Sequence, residues 1–160
     1  MASARHLWVP IAAACAPAPA HATQYLTVEQ ASRLLFPDAE TFVAAPIGAQ
    51  RAWAAMRGGV ALGHVLVDEV IGKHELITYA VGIRADGSIR GVEILDYRET
   101  RGGEVRDPRW RAQFVGKKNG DPLRLEDDIQ NISGATLSCR HVTEGVKRLL
   151  ALHASSTGKR

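Results

Sequence analysis

The sequence predicts an α+β fold, an antiparallel sheet packed with an N-terminal and a C-terminal helix in a single domain. Three observations carry this. Thr27-Val28-Glu29-Gln30 has the form of a capping box ahead of apolar residues at helical spacing. The stretch from Val60 to Tyr97 is rich in β-branched residues and in apolar alternation. From Ser138 to His153, residues Val142, Val146, Leu149 and Leu150 recur along one helical face. A chain of 160 residues with 46% hydrophobic content suffices for one core and calls for no second domain.

At the N-terminus, Arg5 and His6 precede the apolar run Leu7 to Ala16 and then Ala20-His21-Ala22. This is the order of charged region, short apolar region and small-residue cleavage site, so residues 1–22 are expected to be a signal peptide. The apolar run is about ten residues, whereas a membrane-spanning helix needs ~20. The mature chain is therefore expected in the periplasm without a transmembrane segment. Ala12-Ala13-Ala14-Cys15 offers a lipoprotein site as the alternative. Removal of Cys15 would leave Cys139 alone, read here as a small, half-buried helix residue.

The first helix follows the Thr27 cap, presents Val28, Ala31, Leu34 and Leu35, and stops before Pro37. Ala44 to Arg57 reads as a strand and its approach, and Gly58-Gly59 as a turn. Three antiparallel strands follow: Leu62–Val70, Leu76–Arg84 and Ile89–Tyr97. The latter two are joined by Asp86-Gly87 as a tight primed turn. Arg98 to Gly120 combines glycine and charge with Trp110, Phe114 and Val115, giving a short helix between two loops. The last helix is expected over Ser138–His153, with Lys147, Arg148 and His153 complementing its C-terminal dipole.

The chemistry concentrates at Ser133-Gly134-Ala135-Thr136, just before that helix. A helix start has unpaired backbone N–H groups and a positive dipole end, and so can hold an anion without a dedicated lysine. Gly134 allows close backbone approach and Ala135 adds little bulk, while Ser133 and Thr136 offer hydroxyls. The same residues also suit an ordinary loop and helix cap, and spacing alone does not separate the two.

Ser133-Gly134-Ala135-Thr136-Leu137-Ser138 resembles the flavinylation motif of the FMN-binding domain family, which includes flavin-carrying subunits of the sodium-pumping NADH:quinone oxidoreductase and of the Rnf complex. In that family a flavin transferase joins FMN to the motif threonine through a phosphoester, and the matching position is Thr136. Tyr97-Arg98-Glu99-Thr100-Arg101-Gly102-Gly103, with Trp110, Phe114, Gly116 and Lys117 downstream, is similar to the family loop that lies against the flavin. With Gly72-Lys73-His74 included, the likeness covers about Leu62 to Leu150, in the manner of small stand-alone secreted members.

The resemblance implies an FMN-binding domain over 23–155 with a flexible tail at 156–160. It further implies Thr136, Ser133, Gly134, Ala135, Leu137, Ser138, Glu99, Thr100, Arg101 and Gly102 as the flavin-contacting residues. FMN is the expected cofactor, and the expected partners are a flavin transferase and a membrane or periplasmic redox protein. The chain departs from the family in two places. Gln130 stands where the motif has aspartate, the nearest acids being Asp127 and Asp128, and Arg101 stands where the loop has proline.

The expected role is an electron carrier rather than a complete enzyme. A noncovalent flavin module and a small flavin-dependent reductase remain as alternatives. Arg98, Arg106, Arg109 and Arg111 suggest a docking surface for an acidic partner. The net charge of +3 and 6% aromatic content do not suit nucleic acid. The histidines show no zinc spacing, so no metal is expected.

Overall fold

A computed structural model describes residues 23–158; the expected signal peptide and Cys15 lie outside the described residues. The elements are β1 (Thr23–Gln24), α1 (Val28–Leu35), β2 (Thr41–Ala44), β3 (Arg51–Arg57), β4 (Val60–Ile71), β5 (Leu76–Arg84), β6 (Ile89–Tyr97), α2 (Pro108–Arg111) and α3 (Thr136–Thr157). Single 3₁₀ turns at Gly103–Arg106 and Ala112–Phe114 flank α2. The α+β class is as expected: one antiparallel sheet, ordered β1-β6-β5-β4-β3-β2, with a helix before it and a helix after it.

From β2 to β6, strands adjacent in sequence are adjacent in the sheet, the arrangement that short connections favour. The two-residue period of a strand sorts its side chains onto two faces. Leu66, Ile77, Tyr79, Val81 and Ile83 meet Val142, Val146, Leu149 and Leu150 of α3. On the opposite face Val65, Val67 and Ala80 meet Ala31 and Leu35 of α1 and its C-cap residue Phe36. A sheet covered on both faces buries consecutive strand residues, which is why Val65 to Val67 in β4 and Tyr79 to Ile83 in β5 are buried without a break.

The capping box forms as expected. The Gln30 N–H donates to Thr27 Oγ1 (3.1 Å), and the Thr27 N–H donates to Gln30 Oε1 (2.9 Å). The sheet has six strands: the three expected over Leu62–Tyr97, β3 within the stretch read as a strand and its approach, and in addition β1 and β2, which the sequence did not indicate. β2 spans only four residues, and its Val43 is 54% exposed, so it shows too little burial for alternation to register. β1 is two residues long and pairs with Tyr97 and Asp96 at the end of β6.

The turn between β5 and β6 also differs. Arg84 N–H bonds to the Ser88 carbonyl (2.8 Å), closing a longer loop than the two-residue primed turn. Asp86 Oδ1 accepts both the N–H and the hydroxyl of Ser88 (2.9 and 2.6 Å), so a side chain supplies what the primed backbone would have supplied.

Helix α3 starts two residues earlier than expected and runs on to Thr157. Lys147 and Arg148 therefore lie mid-helix, and the last turn carries no basic residue. Instead, the hydroxyls of Ser156 and Thr157 donate to the His153 carbonyl (2.7 and 3.0 Å). His153 is buried, with Nε2 3.1 Å from His64 Nδ1. Burial and the neighbouring imidazole lower its pKa, so it is no terminal cation at neutral pH.

Close approach of α3 to the sheet is set at Gly145, where a Cβ would run into the Tyr79 hydroxyl. Tyr79 cannot yield: it is fully buried and donates to Asp68 Oδ2 (3.0 Å), which also accepts from Arg148 Nη2 (2.5 Å). Gly145→Ala gains up to ~1 kcal/mol of helix propensity. The overpacking should outweigh that gain and lower the unfolding free energy by a net ~1–2 kcal/mol. Urea denaturation should show this as a lower midpoint at unchanged slope.

Candidate functional site

The site begins where β6 ends. Tyr97 is 4% exposed, and its hydroxyl donates to the Arg101 carbonyl and lies 3.1 Å from Ser138 Oγ. Burial pushes the phenol pKa up against the Ser138 hydrogen bond, with Glu99 and Glu104 adding to the rise, so the group stays neutral and able to donate. Gly102 fits beside it at φ 88°. A Cβ there would fall 2.6 Å from Tyr97 Oη and 3.0 Å from Ser138 Oγ. The loop leaving β6 is thereby pressed against the first turn of α3.

Glu99 joins a third segment to these two. Its Oε1 accepts the N–H groups of His74 and Glu75, the latter at 2.9 Å. Partial burial opposes its ionisation, but the N–H groups of Glu75, His74 and Lys73 outweigh that and hold its pKa below the usual range. From the other side His141 Nδ1 reaches the carbonyls of Ile71 and Gly72 (2.5 and 3.0 Å). Both partners are acceptors, so Nδ1 carries the proton. The turn carrying Lys73 and His74 is thus fixed between the β6 loop and α3.

The chain approaching α3 is fixed just as closely. Leu123 and Ile129 enter the main core, and Asp128 accepts the N–H groups of Leu123 and Arg124 (3.1 and 2.8 Å) and the Lys117 ammonium (2.7 Å). Trp110 Nε1 donates to the Gln130 carbonyl (2.8 Å), and the Gln130 N–H donates to Gln113 Oε1 (2.7 Å). Ala135 forms the helix boundary without any side-chain cap. The first intrahelical bond runs from Cys139 N–H to the Ala135 carbonyl (2.9 Å). The N–H groups of Thr136, Leu137 and Ser138 find no acceptor among the described residues, the condition that favours an anion.

These segments enclose a cleft of about 480 Å³ lined by Glu99, Thr100, Arg101 and Gly134 to Ser138, together with Lys73 and His74. Its volume lies in the range of small-molecule sites. Eight of the ten sequence-predicted residues thus meet in one place. Gly102 lies beneath the cleft as packing, and Ser133 is exposed outside its lining. Leu137 leaves apolar surface open, at 39% exposure.

The sequence reading did not include Lys73 and His74 among the site residues, although Gly72-Lys73-His74 was part of the likeness. It also missed Asn131, whose Nδ2 donates to Thr136 Oγ1 (3.0 Å). A single polar residue inside a motif carries no periodic signal.

The four arginines expected as a docking surface are engaged within the chain. Arg98 pairs with Asp96, Arg109 with Asp107 and Arg111 with Glu93, while Arg106 stacks 3.5 Å from the Tyr25 ring. Cys139 is fully buried rather than half-buried, and burial pushes its thiol pKa up. No cluster of three metal-ligating side chains occurs among the described residues.

Two outcomes check this construction. Tyr97→Phe removes both hydroxyl contacts and should cost ~1–2 kcal/mol in chemical denaturation, with amide exchange rising mainly over 98–103 and 133–138. The Asp128 pKa is about 2 against an ordinary 3.8; partial burial resists its charge, and the Arg124 N–H, Lys117 and Leu123 N–H override it. Because the folded value is depressed, its stabilisation is present above the ordinary value and lost as pH falls through about 2. Melting temperatures should therefore fall less steeply below about pH 4 in Asp128→Asn than in the parent protein.

The model of the FMN-binding domain family matches residues 72–151. A subunit of the proton-translocating ferredoxin:NAD(+) oxidoreductase complex of Clostridium ljungdahlii is 30% identical over 135 residues, covering 79% of this chain and 71% of that relative. A subunit of the Na(+)-translocating NADH-quinone reductase of Vibrio vulnificus is 37% identical over 79 residues, covering 39% of this chain and 31% of that relative. A subunit of the Na(+)-translocating ferredoxin:NAD(+) oxidoreductase complex of Acetobacterium woodii is 33% identical over 81 residues, covering 45% of this chain and 39% of that relative. The chain thus spans about a third of the length of the quinone-reductase relatives it matches. The matched stretch contains every segment that walls the cleft, and on these grounds the chain belongs to the FMN-binding domain family, with FMN as its cofactor.

Proposed function

We propose that the protein is a periplasmic electron carrier whose FMN is joined through a phosphoester to Thr136 by a flavin transferase. The observation that carries this is the convergence of the 97–103 loop and the 133–138 turn on one cleft, with Thr136 in the first, uncapped turn of α3. The residues fit the group. Unpaired N–H donors and the positive helix end suit a phosphate, Lys73 and Arg101 add positive charge, and Leu137 offers apolar surface to a flat ring. Glu99, the carboxylate in the lining, is already held by backbone N–H groups and so offers the phosphate little opposition.

Bound FMN supplies the redox chemistry; the chain binds, orients and tunes it. Gly134 adopts φ 86° with open space where a Cβ would lie, which leaves the backbone accessible from the cleft. Tyr97, Gly102 and Ser138 hold the two walls together. A covalent link suits a compartment where free flavin is scarce, since even a micromolar site, worth ~8 kcal/mol, empties on dilution. The signal-like sequence of residues 1–22 supports export. No described helix is long and apolar enough to cross a membrane, and a membrane redox protein is the proposed electron partner.

Gln130 favours one other reading, noncovalent FMN, because the transferase motif has aspartate there. The two separate on a denaturing gel of protein taken from the periplasmic fraction of cells that also make a flavin transferase. The covalent reading predicts a fluorescent band and a flavin-bearing peptide containing Thr136. Thr136→Ala should lose both while melting within a few degrees of the parent. Flavin that leaves on denaturation would establish the noncovalent alternative.

A further inference from the structure

We propose that Asn131 is the positioning residue for the Thr136 hydroxyl during flavin attachment, a role that rests on the reading of Thr136 as the attachment site. Asn131 Nδ2 lies 3.0 Å from Thr136 Oγ1, and the two residues are separated by the turn that opens α3. Thr136 is β-branched and stiff about χ1, so one hydrogen bond suffices to hold its oxygen in a single orientation. The amide N–H occupies one lone pair of that oxygen. The other is left for attack, and the hydroxyl hydrogen must point away from the amide nitrogen.

A second observation concerns the same side chain. Asn131 Oδ1 is buried and has no hydrogen-bond partner among the described residues. A buried oxygen without a partner is destabilising, so this end of the amide is not engaged elsewhere in the described fold. A half-turn of the amide exchanges its ends and lets Oδ1 accept the Thr136 proton, so either orientation can hold the hydroxyl.

The neighbouring groups leave this task to Asn131. Asp128 is engaged by Lys117 and by the backbone of Leu123 and Arg124. Gln130 has its main chain fixed by Trp110 and Gln113 and its side chain exposed. No carboxylate among the described residues hydrogen-bonds Thr136 Oγ1.

The step is a phosphoryl transfer from an FMN donor activated as a phosphoric anhydride. Thr136 Oγ1 forms a bond to the FMN phosphorus, and the anhydride P–O bond breaks with its electron pair on the leaving phosphate. The hydroxyl proton passes to the transferase or to water, and nothing is oxidised or reduced. Asn131 acts before the bond forms, by narrowing the orientations of the attacking oxygen.

The test uses the full chain, a purified flavin transferase, Mg²⁺ and flavin adenine dinucleotide as the anhydride donor, with initial rates read from in-gel flavin fluorescence at varied chain concentration. Asn131→Ala should lower the maximal rate about tenfold, with KM within about twofold and the melting temperature unchanged. Asn131→Asp keeps the shape and accepts the hydroxyl proton, so it should restore the rate to within about threefold of the parent. A parent-like maximal rate in Asn131→Ala, or a folded Asn131→Asp as slow as Asn131→Ala, overturns the proposal. Unsubstituted protein that takes no label overturns attachment at Thr136 itself, and any role of Asn131 with it.

Discussion

The hydroxyl of Tyr97 is the contact on which the candidate cleft depends. It stands at the end of β6, donates to the Arg101 carbonyl and touches Ser138 Oγ in the first turn of α3. A loop and a helix end are thereby referred to the same rigid strand. Because the ring is buried among core residues, the bond operates away from bulk water, where a lost partner is more costly than at the surface. Gly102 completes the contact by leaving no side chain between the two walls.

The sheet gives that contact a fixed frame. Its two covered faces divide the labour: α1 closes one, while α3 closes the other and also carries the site at its N-terminus. A helix packed into the core holds its first turn, and the cleft wall that turn forms, better than a loop would, since Val142, Val146 and Leu149 anchor it against the strands. The Asp68–Tyr79–Arg148 network adds a polar tie further along the same helix. Lys73 and His74 reach the cleft by a different route, through the Glu99 carboxylate and His141.

Departures from the family motif are absorbed locally. At Gln130 the main chain is held by Trp110 and Gln113, so the path of the chain into Ser133 does not need an acidic side chain at that position. Arg101 lines the cleft and keeps its carbonyl on Tyr97, so the loop is stabilised through a backbone atom that any residue supplies. Such substitutions alter the charge presented to a ligand without altering the fold that presents it.

The sequence alone determined the features that rest on local physics. The capping box set the start of α1, alternation set β5 and β6 residue for residue, and the Ser133–Thr136 and Tyr97–Gly103 motifs marked two segments that wall one cleft. Weakly patterned segments stayed hidden: β1 and β2 are short, and pairing rather than composition makes them strands. The end of α3 was misplaced because the hydroxyls of Ser156 and Thr157, which resemble a loop in sequence, return to the His153 carbonyl and prolong the helix. Tertiary structure alone decided what each polar side chain near the cleft does. Glu99 faces backbone N–H groups, Asn131 faces Thr136, and Lys73 arrives beside both motifs. Those pairings join residues on separate elements or across a turn, and a hydrogen bond depends on atoms within about 3 Å of each other, a distance that only the folded chain sets.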